Sequence, residues 1–279
     1  MQGKVVVITG ATSGIGLVAA EKLAALGARI VVVARDSARA DVTLSRLRQI
    51  APQTSHSVHL ADLSLMKDAL RVGEEIAAAE PRIDVLMNNA GGIFYERKVT
   101  REGLELTFAT NHMSYFALAE VLRKTLIASA PARIVNTSSE AHRRVEMNFD
   151  DLQSERDFRA LTVYSQSKLC NILFTRELAR RLEGTGVTSN CFHPGFVATR
   201  FAEGGKGALY YGFRIARKFA LTPEQGAETM VFLASSPEVA SISGEYFEKC
   251  AVKLPNSAAQ DDSAARRLWE ISESLIKSL

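Results

Sequence analysis

The chain has 279 residues, of which 47% are hydrophobic and 23% charged, with a formal net charge of +3 at pH 7. That length and apolar share support a full core in one large domain over 1–279, and so small a charge with no dense Lys/Arg block excludes general nucleic-acid binding. Three scattered cysteines and five histidines without ligand spacing point to a reduced protein with no metal site.

The first strand is read within a few residues of Met1, so no signal peptide is expected. No apolar run is long enough to span a bilayer, so a cytoplasmic setting is expected. Val5, Val6, Val7 and Ile8 form a β-branched run, the pattern of a strand buried on both faces. Thr9-Gly10-Ala11-Thr12-Ser13-Gly14-Ile15-Gly16 follows, and Leu17 to Leu26 has helical spacing. The glycines therefore stand on a strand-to-helix turn, where unpaired N–H groups at a positive helix end can receive a phosphate. Their spacing is G-x-x-x-G-x-G rather than the usual G-x-G-x-x-G. A dinucleotide site is the reading, with Gly10, Thr12, Ser13, Gly14, Ile15 and Gly16 lining it.

Arg29 to Ala34 is a second strand, and Arg35 follows at once. An acidic residue at this place holds a ribose 2′-OH, whereas an arginine accommodates a 2′-phosphate, so NADP is favoured. Asp36 is the counter-candidate, or else a cap for the helix over 37–50. Ser57 to Leu60 is a third strand that ends at Ala61-Asp62-Leu63. Asp62 either accepts from an adenine amino group or begins the next helix, for which Ser64 is an expected N-cap. Ile83 to Met87 forms a fourth strand before Asn88-Asn89-Ala90-Gly91.

Arg101 to Ala128 reads as one long helix with Asn111 in its middle. Asn111 either faces solvent or interrupts the helix so that a carbonyl can hold a water. Arg133 to Asn136 is a fifth strand, ending at Thr137-Ser138-Ser139. Tyr164-Ser165-Gln166-Ser167-Lys168 opens the next helix and puts tyrosine and lysine on one face. A nearby ammonium is expected to lower the phenol's pKa and make it a usable acid/base. Val187 to Phe192 is a sixth strand leading into His193-Pro194-Gly195. Thr222-Pro223-Glu224-Gln225 is a capping box, Gly244 to Glu248 a seventh strand, and Ser263 to Ser278 the last helix.

Strands alternating with helices predict an α/β doubly wound parallel sheet of seven strands with helices on both faces. Gly10, Arg35, Asp62, Asn89, Ser139 and His193 each lie just past a strand's carboxyl end, where such a sheet binds its ligand.

Together these residues resemble the short-chain dehydrogenase/reductase superfamily, over nearly the whole chain, and imply its Rossmann fold. Closer likeness is to the retinol dehydrogenase-like branch, which includes the oxidoreductase domain of the WW-domain-containing oxidoreductase. It rests on Thr110-Asn111-His112, Asp151 to Glu155, Leu173 to Leu178, Gly184 to Thr188, His193-Pro194-Gly195 and Arg267-Leu268-Trp269. The resemblance implies Tyr164 as general acid or base, with Lys168 lowering its pKa and binding the nicotinamide ribose. It implies Ser139 on the substrate oxygen and Asn111 as anchor of a relay water. Asn89, Ala90 and Gly91 would line the adenosine side, and Pro194, Val197 and Thr199 would position the nicotinamide. The implied reaction is NADP(H)-dependent interconversion of an alcohol and a carbonyl on a bulky apolar, retinoid-like substrate. A cofactor-binding module acting through a protein partner, and a C=C reductase, are the alternatives. Membrane-bound relatives carry an N-terminal anchor, which is not expected for this sequence, and superfamily members occur as monomers and as homo-oligomers.

The stretch 196–221 holds Phe196, Phe201, Leu209, Tyr210, Tyr211, Phe213, Ile215 and Phe219, with Gly204, Gly205 and Gly207 before the run from Leu209. A substrate-binding lid is the favoured reading. A core-covering helix and a basic, aromatic helix touching a membrane surface are the others.

Overall fold

The valines of β1 (Val5–Thr9), a strand between β2 (Arg29–Ala34) and β4 (Val85–Asn88), are buried on both faces because helices cover both sides of the sheet. The computed structural model describes residues 1–197 and 221–279. The sheet has eight strands in the order β3-β2-β1-β4-β5-β6-β7-β8, where β3 is Ser57–Leu60, β5 Ala132–Thr137, β6 Val187–His193, β7 Tyr246–Glu248 and β8 Ala251–Val252. All neighbours are parallel except β7 and β8. The seven expected strands are therefore joined by an eighth. Its two exposed residues carry no alternating pattern from which a strand could be read.

Side chains alternate across the strands and feed two cores. Val7, Val31, Leu86 and Ile134 pack on one face, Val6, Val32, Val85 and Val135 on the other. The first core is covered by α3 (Met66–Ala79), α5 (Ser114–Ala128), α6 (Ala160–Arg181) and α9 (Asp262–Lys277). The second is covered by α1 (Gly14–Ala25), α2 (Ser37–Ile50) and α8 (Glu228–Ser235). Trp269 of α9 seats between Phe116 and Phe174, at ring distances of 4.9 and 5.9 Å, and so fixes the last helix on α5 and α6.

Several boundaries differ from expectation, each for a local reason. The segment expected as one helix from Arg101 starts at α4 (Leu106–Phe108), where the Glu105 carboxylate accepts from Phe108 N–H at 2.8 Å. It then widens into a π-helical turn, Ala109–Met113, before α5. Asn111 stands in that turn, so the interruption is real and Asn111 is buried rather than solvent-facing. Ser64 does not cap α3, because its hydroxyl is bound to Asp62. Glu102, distant in sequence, takes the Met66 and Lys67 N–H groups instead. Helix α6 starts four residues before Tyr164. The capping box at Thr222 is present and opens α7 (Pro223–Gly226).

Val197 and Leu221 pair in parallel, and Leu221 N–H donates to Phe196 O at 2.7 Å. The chain thus leaves and returns at one place. Thr199 and the remainder of the expected lid lie outside the described residues.

Candidate active site

The order of strands reverses between β1 and β4, and their carboxyl ends frame the cleft. The turn after β1 needs Gly10, which has φ +69 and whose added Cβ would stand 2.9 Å from Ala90 Cα. Thr9, fully buried, locks this approach: its Oγ1 accepts from the N–H groups of Asn89 and Ala90, each at 2.9 Å. Asn89 returns the tie by donating from Nδ2 to Thr9 O and Gly10 O at 3.0 and 3.2 Å. Asn89 therefore lines the cleft, but its amide is spent on holding the glycine turn. Ser13 makes no side-chain cap on α1, which leaves that helix's first N–H groups for a ligand.

The cleft encloses about 900 Å³. Thr12, Ser13, Gly14, Ile15 and Gly16 form its floor beside Gly10. Arg35, Asp62 and Leu63 close one end, and Arg39 joins them. Asp36 faces away from this role and caps α2, accepting from Arg39 N–H at 2.9 Å. Asp62 accepts from Ser64 N–H and hydroxyl at 3.0 and 2.8 Å, while still lining the cleft. Among the described residues, no carboxylate pairs with Arg35 or Arg39. Two guanidinium groups with no carboxylate partner among the described residues, one just before α2 and one in its first turn, suit a phosphate. Sequence reading missed Arg39, although its place in the first turn of the helix that follows β2 was a usable signal.

Ser139, Tyr164 and Lys168 meet at the other end of the cleft. Ser139 follows β5 and accepts from Ala141 N–H at 3.2 Å, which fixes its rotamer. Its hydroxyl also bonds the Tyr164 phenol. Lys168 Nζ lies 5.7 Å from the centre of the Tyr164 ring and donates to Thr137 O at 3.1 Å. Asn111 is close but does not line the cleft. Its Oδ1 accepts from Gly92 N–H, and its Nδ2 donates to Gly92 O and Ser167 Oγ, all at 2.9 Å. Gly91 is needed for that approach, since its added Cβ would stand 2.7 Å from Asn111 Oδ1. Ala90, Gly91, Pro194 and Val197 all line the cleft.

The electrostatics correct one expectation. Burial pushes the Tyr164 phenol up rather than down, and the Ser139 hydrogen bond offsets this only in part. The same burial pushes Lys168 down to about 7. In the chain alone, desolvation is the leading cause of both shifts. Tyr115, not noticed in the sequence, adds a second ring 5.8 Å from Lys168 Nζ. Ile93, Phe94, Leu106, Leu161 and Phe196 give this end of the cleft an apolar wall.

Comparisons with known proteins identify the family. The family model for short chain dehydrogenase matches residues 4–206. Human retinol dehydrogenase 14 is 42% identical over 296 residues, covering 99% of this chain and 87% of its own length. The human WW domain-containing oxidoreductase is 38% identical over 283 residues, covering 99% of this chain and 68% of its own. Among solved structures, a protein from Mycobacterium paratuberculosis superposes with a TM-score of 0.79 at 28% identity, covering 99% of this chain and 94% of that one. The Pseudomonas aeruginosa RhlG/NADP active-site complex gives a TM-score of 0.71 at 26% identity, covering 88% and 94%. Among the described residues, no helix is long and apolar enough to cross a membrane. Matched along nearly its full length and built on the expected doubly wound sheet, the chain belongs to the short-chain dehydrogenase/reductase family, in the branch of the retinol dehydrogenases and the WW domain-containing oxidoreductase, and is an oxidoreductase.

Proposed function

We propose that the chain interconverts an alcohol and a carbonyl on a bulky, apolar substrate with NADP(H). The observation that carries this is the pairing of two ends in one cleft. Ser139, Tyr164 and Lys168 stand beside an apolar wall at one end, and Arg35 and Arg39, with no carboxylate partner among the described residues, stand at the other.

The glycine turn and the open N–H groups of α1 fit a pyrophosphate, and the two arginines fit a 2′-phosphate. When bound, the nicotinamide supplies or accepts the hydride. The chain's own residues then align and protonate. Ser139 holds the substrate oxygen beside the Tyr164 phenol. Tyr164, kept protonated by burial, donates its proton to that oxygen in reduction and takes it back in oxidation. Lys168 faces the phenol and offers its remaining N–H groups to a ribose. Pro194, Val197 and Thr199 would seat the ring. The apolar wall excludes water from the transfer.

A panel of aliphatic and ring-bearing aldehydes and ketones, with NADPH oxidation as readout, tests the reading. Turnover is expected to favour large apolar members. Tight NADPH binding with no turnover on any of them would instead make the chain a cofactor-binding module.

Cofactor choice gives a sharper check. A charged hydrogen bond contributes about 1.5–3 kcal/mol, so each arginine is worth roughly 10–100-fold in NADPH over NADH. Ala34→Asp with Arg35→Ala is expected to move the preference toward NADH, because the new carboxylate accepts from a 2′-OH and repels a 2′-phosphate. Arg39→Ala alone is expected to weaken NADPH without changing NADH. Dissociation constants for both cofactors measure this, and equal binding by the unmodified chain would remove the assignment.

A further inference from the structure

One buried amide is used by nothing described so far. Asn171 stands one turn beyond Lys168 on α6 and has no exposed surface. Its Nδ2 donates to two main-chain carbonyls, Asn111 O at 2.9 Å and Thr137 O at 3.0 Å. Thr137 O is also the acceptor of Lys168 Nζ, at 3.1 Å. The two carbonyls come from different elements, the π-helical turn and the end of β5. No local pattern announces such a bond, because it joins residues 60 and 34 apart in the chain.

The lysine needs this support. Its four-carbon stem is flexible, and its ammonium is a point charge without a directional fork. Thr137 O is the hydrogen-bond acceptor that holds it, and a carbonyl oxygen has two lone pairs. With Asn171 on one lone pair, the ammonium is confined to the other. The second bond, to Asn111 O, occupies the carbonyl for which the sequence suggested a water. That carbonyl is then held by an immobile side chain on one lone pair.

We propose that Asn171 is a positioning residue for Lys168, pinning the Thr137 and Asn111 carbonyls so that the ammonium lands on one lone pair of Thr137 O and faces the Tyr164 ring. His112 backs it from behind. His112 is fully buried and meets Ser272 Oγ of α9 at 3.0 Å. This inference rests on the oxidoreductase mechanism proposed above.

Two substitutions separate positioning from mere packing. Asn171→Leu keeps the branched shape, removes both donors and leaves no room for water. Asn171→Ala removes the same donors but opens a space that water can fill and bond from. If Asn171 only fills space, activity follows stability, and the leucine variant is the better enzyme. If Asn171 positions Lys168, the order reverses. A displacement of about 1 Å at a reacting group can cost about 10²-fold, so that loss in kcat is expected for Asn171→Leu and a smaller one for Asn171→Ala. KM is expected to stay within a few-fold of the unmodified chain for both, and NADPH affinity to fall much less than kcat, since the ribose contact of Lys168 is loosened rather than removed.

The measurements are kcat and KM with NADPH and a hydrophobic aldehyde such as nonanal, NADPH affinity by fluorescence, and Tm. Unchanged kcat in Asn171→Leu, or a loss matched by equal losses in NADPH binding and Tm, would overturn the proposal. So would a lower kcat in Asn171→Ala than in Asn171→Leu. Should the leucine variant not fold, wild-type kcat in the alanine variant overturns it equally, and a kcat loss with intact NADPH affinity supports it. An unmodified chain that binds NADPH but turns over no member of the carbonyl panel overturns the oxidoreductase mechanism and this inference with it. A fully active unmodified chain beside a fully active leucine variant overturns this inference alone.

Discussion

Tyr164→Phe is expected to lose at least about 10²–10⁴-fold in turnover while keeping the fold and its affinity for NADPH, because general acid–base catalysis is worth about that much. The change removes one oxygen and nothing else. The ring stays packed in α6 with only 9% of the residue exposed, and the 5.7 Å approach of Lys168 Nζ is to the ring itself. Ser139 keeps its bond from Ala141 N–H, so the substrate oxygen would still find its partner. Only the transferable proton is gone. Single-turnover mixing of enzyme, NADPH and aldehyde separates this loss from slow release. Turnover near that of the unmodified chain would take Tyr164 out of the mechanism, and loss of NADPH binding would show that the phenol is structural.

The legible part of the fold was set by burial. Strands covered on both faces are unbroken runs of valine and isoleucine, and β1 and β2 stood out for that reason. The family's motifs then converged because each lies just past a strand end, and the parallel order carries those ends to one edge. The illegible part depended on contacts far apart in sequence. Glu102 caps α3 from 36 residues away, so no local window shows why Ser64 is not the cap. Asn171 reads as one polar residue in a mostly buried helix until β5 and the π-helical turn are placed against it. The electrostatics were misjudged in the same way. Spacing of four residues puts Tyr164 near Lys168, but it says nothing of the burial that pushes the phenol up and the ammonium down.

That burial makes Lys168 the residue at which stability and activity oppose each other. Its pKa falls from 10.5 to about 7 as the chain folds, through desolvation. Between those two pH values the unfolded chain binds the extra proton, so stability rises with pH across that window. The cost of burying the charge is fully present below about 7 and is gone above 10.5. Lys168→Met keeps an unbranched stem of similar length and carries no charge in either state. The variant is therefore expected to be more stable than the unmodified chain at pH 6, with the gain shrinking as pH rises and vanishing near 10.5. In a chain of this size each kcal/mol moves Tm by roughly 2–4 °C, so a rise of several degrees is readable by thermal melting. The same variant is expected to lose turnover about as severely as Tyr164→Phe, roughly 10²-fold or more, since the phenol loses the only cation facing its ring among the described residues. NADPH binding is expected to weaken as well, through the lost ribose contact. A melting temperature at pH 6 below that of the unmodified chain would mean that Thr137 O and the two tyrosine rings more than compensate the buried charge. Turnover that survives the substitution would leave Lys168 as a buried structural residue and move the site's electrostatics elsewhere.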